Sequence, residues 1–172
     1  MSATARKPQA AAIDVIGRAA AWRRRLPKAQ AICRRAAAAA LARCGGGRAG
    51  AEIAIVLADD ALIAKLNRVY RGVAKPTNVL AFPGAEPARP GAPPAPLGDV
   101  VVAYGTVARE ARAQGKRLAD HLAHLVVHGV LHLLGYDHVS AGEARRMEAL
   151  EVAILDDLGV ADPYRAPEPA RG

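Results

Sequence analysis

His128-Gly129-Val130-Leu131-His132-Leu133-Leu134-Gly135-Tyr136-Asp137-His138 is a stretch in which three histidines fall within eleven residues. The run is apolar, and His128 and His132 leave the same face of a helix one turn apart. Gly135 stands where a residue with positive φ ends a helix, so the chain can fold back and bring His138 beside the pair. Neutral imidazoles suit Zn²⁺, Ni²⁺ or Cu²⁺, and three protein ligands leave a position open for water. The stretch therefore predicts a hydrolytic metal site at the end of a central buried helix.

Geometry selects among the five histidines, which all lie in this part of the chain. His124 and His132 are separated by about 12 Å along a helix, too far for both to bind one ion at about 2.0–2.1 Å. One adjacent pair must therefore bind, and the turn at Gly135 selects His128 and His132. We expect His124 to support the site from one turn away or to face the substrate. We expect His121 to face solvent.

Other interpretations of the histidines have less support. Histidines at helical spacing often only pack or titrate, but the glycine turn and the third histidine go beyond a simple helix pair. A structural metal site would want a fourth ligand, usually Cys, and Cys33 and Cys44 lie far upstream. Metallopeptidases of the H-E-x-x-H type carry a Glu directly after the first histidine, where this chain has Gly129. Peptide hydrolysis by that route is therefore disfavoured.

Composition sets the class of protein. A chain of 172 residues predicts one domain with a substantial core. A net charge of +8 and a pI near 10.1 favour a polyanionic partner, although arginine enrichment from genomic composition would give the same charge. Aromatic residues make up 3% of the chain, which argues against base-stacking platforms. Two cysteines, no signal-like apolar run before Asp14 and no long uncharged run predict a cytoplasmic protein without membrane association.

Hydrophobic periodicity predicts an α+β fold, a mixed α/β sandwich with one small mixed sheet covered by about five helices. The predicted strands lie at 11–15, 52–57, 77–82 and 99–103. The predicted helices lie at 29–44, 60–70, 106–114, 118–134 and 141–158. We expect a single catalytic domain over 11–160, with disordered tails at 1–10 and 161–172 and a proline-rich loop at 84–96.

Basic side chains form a second set of candidates. Arg71 ends a predicted helix before a proline-set turn and an apolar strand, which would fix its guanidinium near a sheet edge. Arginine matches phosphate oxygens bidentately, although an arginine at a helix C-terminus is more often a partner of the helix dipole. Contacts to an RNA backbone give affinity and salt dependence rather than sequence choice. The side chains placed to follow such a backbone are Arg23, Arg24, Arg25, Lys28, Arg34, Arg35, Lys116 and Arg117.

These motifs together resemble the YbeY family of bacterial rRNA maturation endoribonucleases. Beside the histidine motif, the resemblance rests on three segments in the family's order, which are Tyr70-Arg71, Pro76-Thr77-Asn78-Val79-Leu80-x-Phe82-Pro83 and Leu97-Gly98-Asp99-Val100. The chain departs from the family at Ala74, where an acidic residue is common, and at Ala81, where Ser is common. Its loop at 84–96 is longer than usual.

The resemblance implies a metal, usually zinc, held by His128, His132 and His138, and a functional arginine at Arg71. It also implies a role in 16S rRNA 3′-end maturation and ribosome quality control. We expect one Zn²⁺ per chain, with Ni²⁺ as the other candidate. The expected partners are rRNA and the small ribosomal subunit or its assembly proteins, with no membrane and no DNA.

The expected reaction is attack of metal-activated water or a ribose 2′-OH on a phosphodiester of single-stranded RNA, while Arg71 stabilises the phosphate charge. Asp137, the carboxylate nearest in sequence, is expected to orient a ligand histidine. One alternative stays open at this point. In it, the chain is a non-catalytic ribosome-assembly factor whose metal stabilises the fold and whose basic surface binds rRNA.

Overall fold

The computed structural model describes residues 11–44, 51–85, 89–91 and 96–166, and within them the chain forms four strands and six helices. The strands are β1 (Ala12–Gly17), β2 (Glu52–Ala58), β3 (Val79–Pro83) and β4 (Gly98–Ala103). The helices are α1 (Ala20–Arg25), α2 (Ala29–Arg43), α3 (Asp60–Arg71), α4 (Tyr104–Ala113), α5 (Leu118–Leu133) and α6 (Ala141–Asp157).

The strands form one mixed sheet in the order β1-β2-β4-β3. β1 pairs parallel with β2, and β2 pairs parallel with β4. β3 pairs antiparallel with β4, with Val79 opposite Val102 and Pro83 opposite Gly98. The sheet is therefore mixed, as the sequence predicts, and β3 is one of its edge strands.

Helices cover both faces of the sheet. Successive side chains of a strand point to opposite faces, so each central strand contributes apolar side chains to both layers. On one face Ile55, Leu57 and Val100 pack into the main core, which also contains buried residues of α2, α5 and α6. On the other face, Val101 and Leu80 form a smaller cluster with α3. This arrangement is the predicted α+β sandwich.

α5 is the central helix of the main core. Ten of its sixteen residues are buried, which is typical of a helix that has neighbours on most sides. It packs against α2, α6, β3 and β4, and near its C-terminal end Gly129 approaches Val100 of β4. The sequence predicts this buried position. The packing of α5 fixes the direction in which its C-terminal end points.

The sequence prediction misses one helix. α1 was not predicted, because it has six residues with three consecutive arginines, and a short polar run carries no periodic signal. It is held by Trp22, which is 1% exposed and donates from Nε1 to the carbonyl oxygen of Ala58 at 3.0 Å. Among the described residues, none of the helices has the length and apolar character needed to cross a membrane.

The structure describes only part of the expected tails and of the proline-rich loop. Residues 1–10, 167–172 and parts of the loop at 84–96 lie outside the described residues. Residues 161–166 are described, and the side chain of Tyr164 contacts α5 and α6. That part of the predicted tail is therefore packed on the domain rather than free of it.

Candidate metal centre

The turn after α5 folds the chain back over the C-terminal end of that helix. Gly135 has φ of +96°, as the sequence predicts for a helix stop. Its N–H donates to the carbonyl oxygen of His132 at 3.0 Å, and the N–H of Tyr136 donates to that of Leu131 at 3.0 Å. This pair of hydrogen bonds is a Schellman motif, in which a glycine adopts the left-handed conformation and reverses the chain. The reversal returns His138 to the helix face that carries the other two histidines.

Three histidine side chains converge at this helix end. One ring nitrogen from each of His128, His132 and His138 lies within 4.8 Å of the other two. Nε2 of His128 and Nε2 of His132 are 3.0 Å apart. A tetrahedral zinc with Zn–N bonds of about 2.0–2.1 Å needs its nitrogens about 3.4 Å apart, so this pair already has nearly the required spacing. The cluster could therefore hold a metal ion.

The convergent histidines line a cleft of about 590 Å³ between the end of α5 and β3. Arg71, the last residue of α3, lines the same cleft and is exposed. Thr77, Asn78, Tyr136 and Asp137 are the other polar side chains in its lining. The structure thus brings Arg71 and all three candidate ligands to one surface, in an arrangement that suits an anionic substrate.

A buried carboxylate fixes one of the candidate ligands. Glu151 on α6 has 0% exposure, and its Oε1 lies 2.5 Å from Nδ1 of His128. A hydrogen bond at Nδ1 leaves Nε2 as the free, metal-facing nitrogen, because the two nitrogens of a neutral imidazole take opposite roles. Glu151 therefore selects the tautomer of His128 that a metal site requires.

The same carboxylate accepts from a residue near the end of the described chain. The hydroxyl of Tyr164 donates to Oε2 of Glu151, and Nε2 of His124 lies 3.7 Å from that oxygen. Burial works against ionisation of Glu151, but the hydrogen bonds from His124, His128 and Tyr164 outweigh it and lower its pKa to about 2. Glu151 is thus held as an anion behind the cluster. His124 lies one turn from the candidate ligands and supports the site, which is one of the two placements expected for it.

The donor set fits a transition metal ion. Burial and the neighbouring His128 and His138 lower the pKa of His132, so its ring is held neutral, which is the form that binds a metal. Three neutral imidazoles favour Zn²⁺, Ni²⁺ or Cu²⁺ over the hard cations Mg²⁺ and Ca²⁺, which prefer oxygen ligands. The open side of the cluster faces the cleft, so a fourth position would be accessible to solvent and substrate.

The position after the first histidine has no room for a catalytic glutamate. A Cβ atom on Gly129 would lie 2.7 Å from Cγ1 of Val100 on β4. A side chain at this position would therefore start against the sheet, and the glycine lets α5 approach β4 closely. The structure agrees with the sequence argument against the H-E-x-x-H peptidase mechanism.

Comparison with known proteins places the chain in a family. The family model described as Endoribonuclease YbeY matches residues 22–159, which include all of the cleft residues named above. The chain belongs to the YbeY family. The resemblance seen in the sequence motifs is thereby confirmed.

Relatives in the YbeY family match nearly the whole chain. The protein named Endoribonuclease YbeY from Parvibaculum lavamentivorans is 52% identical over 166 residues, with 92% of this chain and 88% of that protein covered. The protein of the same name from Azorhizobium caulinodans is 53% identical, with 90% and 97% covered. The solution structure of TM1509 from Thermotoga maritima has a TM-score of 0.54 and 20% identity, covers 93% of this chain and 99% of its own, and supports the fold.

Two expectations about side chains near this YbeY-family site are wrong. His121 is not solvent-facing; it is 4% exposed, and its Nε2 lies 3.4 Å from Oε1 of Glu110, because α4 packs over the start of α5. Asp137 accepts from the backbone N–H of His138 at 2.7 Å, while the ring nitrogen Nδ1 of His138 is 4.0 Å away. Asp137 therefore fixes the backbone of the turn, and the carboxylate that orients a candidate ligand is Glu151.

Glu151 and Tyr164 are the site residues that the sequence argument misses. Glu151 did carry a signal, because it lies at helical spacing from Met147, Ile154 and Leu155, all of which are buried. A charged residue on the apolar stripe of an amphipathic helix indicates a buried partner. Tyr164 carried no such signal, since it stands in a short polar segment after α6.

Proposed function

We propose that this chain is a metal-dependent endoribonuclease that cuts single-stranded segments of rRNA, in particular the 3′ end of 16S rRNA precursors. The observation that carries the proposal is the shared cleft of three convergent histidines and Arg71. The names of the relatives support the reaction class. We further propose that residues 11–160 act as one catalytic domain in the cytoplasm, with rRNA and small-subunit or assembly proteins as partners and with no DNA substrate.

In this proposal, His128, His132 and His138 hold one Zn²⁺ or Ni²⁺ per chain. Such an ion supplies Lewis-acid chemistry, since it polarises phosphoryl oxygens and lowers the pKa of water toward about 7. The three imidazoles bring no charge of their own, so the site keeps its positive potential toward an RNA phosphate. Glu151 balances part of that charge from behind His128, and it lies inside the core, away from the substrate.

Arg71 binds the scissile phosphate in this proposal. It is the last residue of α3, and Gly72 ends that helix with φ of +70°, so the guanidinium projects from a fixed helix end rather than from a loop. Its charge would oppose the negative charge that grows on the phosphate oxygens in the transition state. Among the described residues that line the cleft, Asp137 is the one acidic side chain, and it is more than half exposed.

The test is cleavage of a precursor 16S rRNA 3′-end fragment by purified protein, compared with a DNA strand of the same sequence. Metal-stripped protein, the same protein reloaded with zinc or nickel, and His132→Ala are assayed together, with circular dichroism to confirm folding. We expect wild type to cleave the RNA and not the DNA. Stripped protein should cleave only after metal is added back, and the folded His132→Ala variant should not cleave. Arg71→Ala should lower kcat about 100-fold or more, whereas Arg112→Ala, an exposed arginine on α4, should not.

Two outcomes would contradict the proposal. Equal cleavage by wild type, stripped protein and His132→Ala would mean that a contaminating nuclease is responsible. RNA binding without any metal-dependent cleavage would instead favour the non-catalytic assembly factor. In that case, His132→Ala would alter folding or binding and leave no catalytic step to lose.

A further inference from the structure

Exposed apolar side chains gather at the C-terminal end of α3. Val69, Tyr70 and Val73 are 68%, 66% and 47% exposed, and they make up half of the exposed large hydrophobic residues among those described. We call this surface the α3 patch. Water-exposed apolar groups that cluster in this way usually mark a contact with a partner or ligand.

The α3 patch is joined to the cleft through the edge strand β3. Val79, Ala81 and Pro83 line the cleft, so Leu80 and Phe82 point to the opposite face of the strand. The ring of Tyr70 packs against that of Phe82, with centroids 4.8 Å apart and planes at 50°. Packing on one side holds the Tyr70 ring in place, and its high exposure leaves much of it open to solvent. An extended ligand that crosses this edge of the sheet would contact both the α3 patch and the cleft.

Along the chain itself the charge around the α3 patch has one sign, whereas the exposed Asp99 on β4 lies opposite Phe82. Residues 61–81 contain four cations and no acidic residue. The cations are Lys65, Arg68, Arg71 and Lys75, and all four are exposed. The nearest carboxylates on the same helix are at its other end. There, Asp59 caps the helix by accepting from the N–H of Leu62, and Asp60 pairs with Arg109.

An exposed aromatic ring among cations fits a particular occupant. Single-stranded nucleic acid alternates apolar base faces with phosphates, and its binding sites combine aromatic rings with basic side chains that follow the backbone. Arg71 follows Tyr70 directly in the chain, so one side chain packs on Phe82 at the edge strand while the next lines the cleft. One ring does not make the multi-aromatic platform that the composition argues against, but one ring is enough to stack one base.

We propose that the α3 patch binds the single-stranded RNA that enters the cleft, and that Tyr70 stacks on one of its bases. This inference rests on the proposed function, because it assigns the substrate contact next to Arg71. Stacking tolerates any base, so Tyr70 would fix the position of the strand relative to the scissile phosphate rather than select a sequence.

The test measures binding of fluorescein-labelled oligouridylate by fluorescence anisotropy in the presence of a chelator, so that the strand is not cut. The variants are Tyr70→Ala, Tyr70→Phe and the control Ile16→Ala, a 39%-exposed residue on β1 at the other edge of the sheet. We expect Tyr70→Ala to weaken binding about 5- to 140-fold, the range for loss of one stacked base. Tyr70→Phe and Ile16→Ala should bind within about twofold of wild type.

A second ligand separates stacking from other effects. The same backbone without bases, an abasic oligonucleotide, should bind Tyr70→Ala and wild type equally. The inference would be overturned if Tyr70→Ala and wild type bound oligouridylate equally. It would also be overturned if Tyr70→Ala lost as much affinity for the abasic strand as for oligouridylate. If wild type cleaves RNA with metal and Tyr70→Ala binds normally, only this inference fails. If wild type neither binds nor cleaves RNA, the proposed function fails with it.

Discussion

Oε1 of Glu151 lies 2.5 Å from Nδ1 of His128, so a buried carboxylate on α6 orients a candidate metal ligand on α5. The two residues are 23 positions apart in the chain, and their contact depends on how α6 packs on α5. Core packing is therefore coupled to the geometry of the cleft. Substitutions behind the histidine cluster should change metal binding without touching the substrate.

Glu151→Gln should weaken zinc binding about 10- to 100-fold, because the ring of His128 loses its charged partner while the side-chain volume stays the same. Competition against a chromophoric chelator measures the zinc affinity of the purified protein. Glu148→Gln is the matched control, since Glu148 lies on the same helix and is exposed. Equal zinc affinity of Glu151→Gln and wild type would show that the contact has no role in holding the ligand.

Tyr164→Phe should lower the free energy of unfolding of the metal-free protein by about 1 kcal/mol, because Glu151 loses a hydrogen-bond donor. Urea unfolding measures the change, and Tyr70→Phe serves as a control on a two-thirds exposed tyrosine. Since Tyr164 acts through Glu151, the double variant with Glu151→Gln should lose less stability than the two single losses added together. Additive losses would mean that the two residues act independently.

Local patterns predicted the parts of this site that depend on local structure. The helical spacing of His128 and His132 and the left-handed Gly135 follow from backbone geometry within a few residues, so they could be predicted. The apolar composition of α5 likewise indicated its central position. The mixed sheet was also predicted, although its strand order was not, because pairing between distant strands leaves no local pattern.

Features that depend on tertiary contacts were missed. The burial of His121 follows from the packing of α4 on α5, and the polar residues around it predicted an exposed position. Tyr164 contacts Glu151 from a segment whose proline and polar residues are typical of a tail. In both cases the local sequence is compatible with solvent, and only a distant partner makes the residue part of the core.

Gly129→Ala should destabilise the protein by about 1–3 kcal/mol, because a Cβ at this position would lie 2.7 Å from Cγ1 of Val100. Gly142→Ala is the matched control in α6, where a Cβ has nothing within 4 Å. There, alanine should be neutral or stabilising by up to about 1 kcal/mol, since it favours a helix more than glycine does. Urea unfolding compares the two, and the double variant Gly129→Ala with Val100→Ala should recover part of the loss. A stable Gly129→Ala would contradict the close approach of α5 and β4.

Asp60→Asn should remove stability that depends on pH. Burial opposes ionisation of Asp60, but hydrogen bonds from Arg109 and Thr106 outweigh it and hold its pKa below the usual value for aspartate. A lowered pKa in the folded state adds stability above the unfolded pKa of about 3.9, and this is lost as the pH falls through the folded value. The unfolding free energies of wild type and Asp60→Asn should therefore differ near neutral pH and converge in acid. A difference that stays constant below about pH 4 would show that the charge is not responsible.

The two cysteines should differ in reactivity. Cys33 on α2 is 0% exposed, and burial raises the pKa of its thiol to about 12, so both access and the reactive thiolate are suppressed. Cys44, directly after the helix, is half-buried. A chromogenic disulfide reagent should therefore modify one thiol in the native protein and both in urea. Cys44→Ser should abolish the native reaction and Cys33→Ser should preserve it; fast labelling of Cys44→Ser would mean that the main core opens far more often than its packing implies.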